Sequence, residues 1–275
     1  MGPRNLKISD RKYLLTEQYQ DASNLNARIQ LHRRFSTNKY GWHQWVFDQI
    51  CLSSKSHILE LGCGAGNLWL ENSQRIPEGW KITLSDLSLG MVQKAQQNLE
   101  RGWHPFRCSV VDAQSLSFGD ESFDAVIANH MLYHVPDRTK AFEEIRRVLR
   151  PGGRFYASTV GQGHLKDLYE LVHRFDSSAD PWGAHPAEPF LLETGLDQIA
   201  RWFPKVSLQR YKDALVITEA GPLVAYVLST AAKSSFVGEK LAEFTRFVEQ
   251  EILTHSAIRV TKDSGLFEAW QGDRA

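Results

Sequence analysis

The stretch His57-Ile-Leu-Glu-Leu-Gly-Cys-Gly-Ala-Gly66 decides how the rest of this 275-residue chain is interpreted. Its first half is a short apolar run typical of a buried strand, and its second half is a glycine-rich turn. Asn67-Leu-Trp-Leu70 follows and can begin a helix. Glycines let the backbone turn tightly and approach a ligand closely, with the amide groups of the helix end facing it. The order strand, glycine turn, helix therefore predicts a ligand-binding turn in an α/β protein.

The alternation of strand and helix patterns continues on the carboxyl side of this turn, as far as Ser158. Predicted strands cover residues 57–61, 80–85, 106–111, 123–129 and 154–158, and predicted helices cover 90–100 and 139–149, the latter stopped by Pro151-Gly-Gly153. Strands separated by helices or long crossovers predict a mostly parallel sheet with helices on both faces, which is a doubly wound α/β fold.

The segments on either side differ from this core, which we place at residues 51–160. Residues 1–50 are predicted to be helical and rich in aromatic residues, and we call them the arm. In residues 161–275 we expect the rest of the sheet at about 205–217 and 257–271. Two helical segments, about 161–204 and 218–254, are predicted to form a cap.

Composition excludes several classes of protein. With 42% hydrophobic residues, global disorder is excluded, and 32 basic against 32 acidic residues argue against a nucleic-acid partner. No apolar run approaches the roughly 20 residues of a membrane span, and the first residues do not resemble a signal peptide. Three widely spaced cysteines predict neither a disulfide framework nor a zinc site. We expect a cytoplasmic protein without a metal; monomer and homodimer stay open.

The spacing of the glycines bears on the ligand. Dinucleotide sites have the pattern Gly-x-Gly-x-x-Gly, whereas here the third glycine comes one residue early, which favours a different nucleoside. Asp86 closes the second predicted strand twenty residues after Gly66, the distance at which an acid reaches a ribose. The alternative for Asp86 is a solvated loop acid. Because Glu60, Asp112 and Asn129 also stand at strand ends, we expect all four at one edge of the sheet.

Five motifs at these positions carry a family resemblance. They are Glu60-x-Gly-x-Gly-x-Gly66, Asp86, Asp112-Ala113, Phe123-Asp-Ala-Val126 and Arg147-Val-Leu-Arg-Pro-Gly-Gly153. With them, residues 56–160 resemble the class I S-adenosylmethionine-dependent methyltransferases. The resemblance implies a Rossmann-like, seven-stranded sheet whose last strand is antiparallel, and Gly265-Leu-Phe-Glu-Ala269 looks like that strand.

The same resemblance implies roles for individual residues toward S-adenosyl-L-methionine. Carried over, it places Gly62, Gly64 and Gly66 beside the methionine part, with Glu60 in the same motif. It also places Asp86 at the ribose hydroxyls, Leu87 beside the adenine, Asp112 at the adenine amino group, Ala113 at the ring edge and Asn129 near the sulfonium.

Candidates for the acceptor side are less specific. His130 and His134 stand four residues apart and could share a helical face as general bases; buried histidines are also often merely hydrogen-bonded. Tyr133 between them is a candidate for the substrate pocket or its lid. Aromatic rings attract sulfonium and other cations. Tyr13, Tyr19, Phe35 and Trp42 are therefore candidates for a lid over the site, with a packing role as the alternative for Tyr19 and Phe35. Trp45 and Phe47 are expected to pack a helix on the sheet.

Three functions follow as hypotheses. The first is a methyltransferase that acts on a small molecule by in-line displacement, mainly through proximity and desolvation. Asn129-His-Met-Leu132 stands where Asn-Pro-Pro-Tyr would indicate methylation of DNA adenine or protein glutamine, so those acceptors are disfavoured. The alternatives are an NAD(P)-dependent oxidoreductase, which the glycine spacing disfavours, and a non-catalytic cofactor-binding partner protein.

Overall fold

The computed structural model describes residues 10–18, 20, 23–100, 102, 104–181 and 189–270. The strands are β1 His57–Leu61, β2 Lys81–Asp86, β3 Phe106–Val110, β4 Phe123–Asn129, β5 Leu149–Val160, β6 Lys205–Ile217 and β7 Ile258–Trp270. The α-helices are α1 Arg11–Tyr13, α2 Ser23–Phe35, α3 Trp42–Asp48, α4 Asn67–Leu70, α5 Leu89–Leu99, α6 Arg138–Val148, α7 Lys166–Phe175, α8 Leu192–Ala200, α9 Ala220–Leu228 and α10 Glu239–His255. A π-helical turn covers Leu14–Gln18, and 3-10 turns cover Ser73–Arg75, Leu132–His134 and Ala231–Ser235.

The seven strands form one sheet in the order β3-β2-β1-β4-β5-β7-β6. Strands β1 to β5 pair in parallel, and β7 pairs with β5 in the antiparallel direction, with Ser158 opposite Leu266. The prediction of a doubly wound, mostly parallel sheet with an antiparallel last strand is confirmed. Because β1 lies at the centre of the parallel part, its carboxyl end has polar strand ends on both sides.

The start of β5 differs from the sequence prediction. Pro151-Gly-Gly153 was expected to separate a helix from a strand, yet β5 already begins at Leu149, directly after α6. Leu149 pairs with Phe123 and Arg154 with Ala125, so the residues between them form an irregularity within a strand that stays paired. Gly152 has a φ of 75°, which bends the backbone out of the pleat there.

The chain divides into two compact units. Unit 1 comprises the described residues within 1–39, 162–188 and 212–263, and unit 2 those within 40–161, 189–211 and 264–275. Each unit therefore combines segments that are far apart in the sequence. Part of the predicted arm, residues 40–50, groups with the core in unit 2, and so do residues 189–204 of the predicted cap.

Unit 2 is built in layers around the sheet. Alternate residues of the central strands face opposite sides. Leu59, Val126 and Phe155 pack with helices α6 and α8 on one side. Ile58, Ile127 and Tyr156 pack with α3, α4 and α5 on the other. This burial on both faces explains why the central strands are continuous apolar runs.

Unit 1 has a core of its own. Buried residues of α2, α7, α9 and α10 pack together with Leu215 and Val260, and Leu31, Leu168 and Phe244 are completely buried among them.

Among the described residues, no helix combines the length and apolar character needed to cross a bilayer. The described part of the chain also contains no group of three or more His, Cys, Asp or Glu residues arranged to hold a metal ion.

Candidate functional site

The glycine turn after β1 has a backbone conformation that few other residues could adopt. The φ angles of Gly62, Gly64 and Gly66 are 65°, 53° and 77°. A Cβ atom on Gly62 would lie 2.7 Å from Cβ of Met131, and one on Gly66 would lie 3.0 Å from Cδ1 of Leu99. Left-handed backbone and a lack of space for a side chain therefore coincide at Gly62.

Asp86 is fixed beside this turn at the end of β2. Its Oδ2 accepts a hydrogen bond from the Gly64 amide at 3.0 Å, and its Oδ1 accepts one from the Ser88 amide at 2.9 Å. Ser88 caps α5 by accepting from the Met91 amide at 3.3 Å. Burial raises the pKa of Asp86, and the amide bonds oppose this shift. The amide bonds fix the orientation of this carboxylate, whose oxygens can also accept hydrogen bonds from a ligand hydroxyl.

Glu60 lies beneath the turn and is only 2% exposed. Its Oε2 accepts a hydrogen bond from the indole of Trp69 at 2.6 Å, and its backbone carbonyl accepts one from the Ser85 hydroxyl at 2.8 Å. Burial raises the pKa of Glu60 to about 8, so the carboxyl group carries a proton at neutral pH. A neutral Glu60 adds no negative charge beneath the turn.

Asp112 and Ala113 follow β3. The Val111 amide donates to the carbonyl of Asp86 at 3.0 Å, which holds the end of β3 against β2. Oδ1 of Asp112 accepts from the Gln114 amide at 2.9 Å and from Gln114 Nε2 at 3.1 Å. Ala113 is buried. These two bonds from Gln114 help to orient the Asp112 carboxylate.

Asn129 ends β4 on the other side of β1. Its Oδ1 accepts from the Trp42 indole at 3.2 Å and from the Ser158 hydroxyl at 2.6 Å. The Ser158 hydroxyl in turn accepts from the His130 amide at 2.9 Å. The Trp42 ring lies 4.8 Å from the His130 ring and 5.4 Å from the Tyr211 ring, measured between centroids.

The stretch that carries the two candidate bases is not an α-helix. His130 has a φ of 53°, and a 3-10 turn covers Leu132–His134, so the two histidines do not lie on one helical face. The centroid of the Tyr133 ring lies 6.5 Å from that of the His130 ring and 4.5 Å from that of the His134 ring. All three side chains are half-buried.

The described aromatic residues predicted as a lid belong to different units. Trp42 lies in unit 2 at Asn129, as described above. Phe35 is buried in the core of unit 1, and the Tyr13 hydroxyl in that unit donates to Gln18 Oε1 at 2.9 Å. Tyr19 lies outside the described residues.

Two residues near Asn129 and Trp42 were missed from the sequence. Ser158, which donates to Asn129, was only the end of a predicted strand, and Tyr211, which packs on Trp42, was only a residue within the predicted strand 205–217. The sequence of the last strand and the alternation of strands and helices predict which strands pair. They do not predict which side chains contact each other across the paired strands.

The strand order brings four predicted site residues together along one edge. From β3 to β4 this edge carries Asp112, Asp86, the turn with Glu60, and Asn129. In open α/β sheets, ligands bind at the carboxyl ends of the strands. Two acids on one side of a glycine turn and an amide on the other can hold an elongated ligand with a nucleoside at one end.

Comparisons with known proteins agree with this arrangement. A family model described as a methyltransferase domain matches residues 59–157. Over 131 residues, the chain is 30% identical to the methyltransferase GfsG of Streptomyces halstedii, covering 46% of each protein. It is also 30% identical over 142 residues to the sterol 4-C-methyltransferase strm-1 of Caenorhabditis elegans, covering 48% of this chain and 42% of that protein. The chain thus spans about half the length of these curated relatives.

A solved structure extends the likeness of the fold beyond the core. The phosphoethanolamine N-methyltransferase 2 of Haemonchus contortus, in complex with phosphomonomethylethanolamine and S-adenosylhomocysteine, is similar with a TM-score of 0.58. The identity is 18%, and the alignment covers 96% of this chain and 60% of that one. Motifs, strand order and family match agree: residues 59–157 match a methyltransferase domain and are similar to the class I S-adenosylmethionine-dependent methyltransferases.

Proposed function

We propose that the protein is a methyltransferase that transfers the methyl group of S-adenosyl-L-methionine to a small-molecule acceptor. The observation that carries the proposal is the Asp86 carboxylate, fixed by the amides of Gly64 and Ser88 beside a turn of left-handed glycines. Such a carboxylate can accept hydrogen bonds from both hydroxyls of a ribose. The named relatives and the bound molecules of the Haemonchus enzyme support a small acceptor.

Each part of the cofactor would contact residues at the end of a different strand. Asp112 and Ala113 would meet the adenine, with Leu87 beside the ring, and Asp86 the ribose. Gly62, Gly64 and Gly66 would border the methionine part above the neutral Glu60, which adds no negative charge under the turn. Asn129 would lie at the sulfonium end.

Little acid–base chemistry is required of the protein for this reaction. S-adenosylmethionine supplies a methyl group on a good leaving group, so the chain mainly has to align the acceptor and exclude water. His130 and His134 are the candidate bases for an acceptor hydroxyl or carbon, while a neutral amine needs none. Tyr133, which contacts both rings, would border the acceptor. Tyr13, Tyr19 and Phe35 stay candidates for a lid on the sequence alone, and the burial of Phe35 favours a packing role for it.

The proposal extends to the setting of the protein. A net charge of zero supports the absence of a nucleic-acid partner, and three widely spaced cysteines fit a cytoplasmic location. The oligomeric state is open between monomer and homodimer.

Calorimetry tests the cofactor site. The wild-type protein should bind S-adenosylmethionine and should not bind NADH, and Asp86→Asn should weaken binding by roughly 10–100-fold, because hydrogen bonds to a charged group contribute about 1.5–3 kcal/mol. Asp120→Asn is the control, since Asp120 is exposed and pairs with Arg147 at the start of β4. Unchanged affinity in Asp86→Asn would show that the ribose is held elsewhere.

A second measurement separates an enzyme from a binding protein. S-adenosylmethionine with a labelled methyl group should transfer label to at least one member of a library of small acceptors. Binding of the cofactor with no transfer to any of them would favour the non-catalytic partner protein.

A further inference from the structure

The Asn129 side chain is held in one orientation by a network of three hydrogen bonds. Its Oδ1 accepts from Trp42 Nε1 and from the Ser158 hydroxyl, and the Ser158 oxygen accepts from the His130 amide. Ser158 itself is completely buried. The network also supports the left-handed backbone of His130, whose φ is 53°.

The direction of every bond in this network follows from the chemistry of its ends. An indole N–H and a peptide N–H can only donate. The Asn129 atom that meets Trp42 must therefore be the oxygen and not the amide nitrogen. The Ser158 oxygen accepts a hydrogen bond from the backbone amide of His130. Its own hydroxyl proton is therefore donated to Asn129 Oδ1 at 2.6 Å.

The two N–H groups of Asn129 Nδ2 are the donors that this network leaves over. Within the described ranges of the chain, no protein group accepts a hydrogen bond from Nδ2, and the side chain is half-buried. A partly buried amide that finds no acceptor in the protein loses free energy unless water or a ligand supplies one. The ligand group that meets Asn129 should therefore be a hydrogen-bond acceptor.

The position of Asn129 indicates which ligand this is. Its strand β4 flanks β1, with Ala128 opposite Leu61, whereas Asp86 ends β2 on the other side of β1. A nucleoside held by Asp86 and Asp112 lies over β2 and β3, so its sulfonium end points toward β4. Asn129 then stands where the acceptor meets the methyl group.

We propose that Asn129 donates its amide hydrogens to an oxygen of the methyl acceptor, with Ser158 and Trp42 as positioning residues. The acceptor is then a small molecule with a hydroxyl, carbonyl or carboxylate oxygen next to the methylated atom. An ammonium group at this place would meet the Nδ2 donors and would be disfavoured. The inference rests on the proposed function, because the cofactor defines the acceptor end.

Nuclear magnetic resonance of the full chain, labelled with ¹⁵N and saturated with S-adenosylhomocysteine, tests the donor role. The Asn129 side-chain signals are assigned by their loss in Asn129→Asp. Benzoate should shift these signals and benzylammonium should not. Replacement of the donors by an acceptor in Asn129→Asp should weaken benzoate binding about tenfold and favour benzylammonium instead.

The positioning role has its own variants. Ser158→Ala and Trp42→Phe each remove one donor to Oδ1, so the Asn129 signals should broaden or split, and benzoate should bind more weakly. Ser158→Thr keeps the hydroxyl and should restore a single set. Thr159→Val is the matched control: it removes a buried hydroxyl from the same strand, one that donates to the Phe190 carbonyl at 2.7 Å. It should leave the Asn129 signals unchanged.

The outcomes distinguish this inference from the proposed function. If S-adenosylhomocysteine binds but the Asn129 signals respond to neither probe, or respond equally to both, the donor role is wrong and the methyltransferase proposal stands. If S-adenosylhomocysteine does not bind the wild-type protein, both fall. Equal effects of Ser158→Ala and Thr159→Val on the Asn129 signals would remove the positioning role alone.

Discussion

Glu60 shows at the scale of one residue how burial decides what an acid does in this site. Two carboxyl groups lie next to the glycine turn, Glu60 in β1 and Asp86 at the end of β2, and they differ in environment. Asp86 accepts hydrogen bonds from backbone amides, among them those of Gly64 and Ser88, whereas Glu60 is 2% exposed and accepts one from the indole N–H of Trp69. The pKa of Glu60 is raised by burial to about 8. The neutral Glu60 then supports the turn, and the carboxyl group of Asp86 is the acid fixed beside it.

The raised pKa of Glu60 should be detectable in the pH dependence of the free energy of unfolding. In the unfolded chain, Glu60 loses its proton near pH 4.5, and in the folded protein near pH 8, so the contribution of this group to stability falls as pH rises through that window. Glu60→Gln does not titrate. The free energy of unfolding of the variant, measured relative to wild type, should therefore rise by on the order of 3 kcal/mol between pH 5 and pH 8. Urea denaturation at both pH values measures this.

A second glutamate provides the contrast. The pKa of Glu144 is lowered by hydrogen bonds from Arg147, so its contribution is present above its ordinary pKa and is lost in acid. Glu144→Gln should therefore show no gain between pH 5 and pH 8. An equal response of the two variants would mean that Glu60 is ionised in the folded protein.

Residues of the site differ in how far the sequence predicts them. Asp86 and Asn129 were predictable because each stands at the end of an apolar strand, and parallel strands end at a common edge. The contact of Trp42 with Asn129 was not, since the two residues are 87 positions apart and belong to elements that local patterns do not connect. Hydrophobic periodicity predicts elements, whereas the meeting of side chains depends on how those elements pack.

At the scale of an element, the glycine turn allows a direct test. Gly62→Ala places a Cβ atom 2.7 Å from Cβ of Met131 and 2.9 Å from its Cγ, at a φ of 65°. Left-handed backbone alone costs an alanine roughly 1–2 kcal/mol. We expect a lower free energy of unfolding by at least that amount, and S-adenosylmethionine binding too weak to measure by calorimetry.

Gly163→Ala is the control for this substitution. A Cβ atom on Gly163 meets nothing within 4 Å, so stability and cofactor binding should stay close to wild type. Normal cofactor binding by Gly62→Ala would show that the turn can rearrange without loss of function.

The start of β5 shows why breaker residues are ambiguous at this scale. Pro151 and two glycines normally end an element, and they do follow α6 here. Pairing of β5 with β4 nevertheless resumes at Arg154 after starting at Leu149, because a strand can carry an irregular segment without leaving its sheet. A local pattern cannot distinguish a gap between elements from a bulge within one.

At the scale of the whole molecule, each compact unit joins segments that are distant in sequence. Changes in composition along the chain predict domains that follow one another in sequence. They cannot predict units in which distant segments alternate, as they do here. Unit 1 illustrates what holds such segments together. Asp213 of β6 and Lys262 of β7 form an ion pair whose side chains are 0% and 9% exposed, and the Asn38 amide donates to Asp213 Oδ1 at 2.9 Å. Three separate segments meet at this buried acid.

Removal of the cation should therefore destabilise the protein strongly. Burial alone would raise the pKa of Asp213, but the hydrogen bonds from Lys262 and Asn38 lower it below the usual value. Lys262→Met leaves this charge without its cation, which costs about 3–5 kcal/mol. Arg34→Met, which breaks an exposed ion pair with Glu219 in the same unit, should cost at most about 1 kcal/mol. Denaturant titration compares the two, and equal losses would mean that water reaches Asp213 and replaces the lysine.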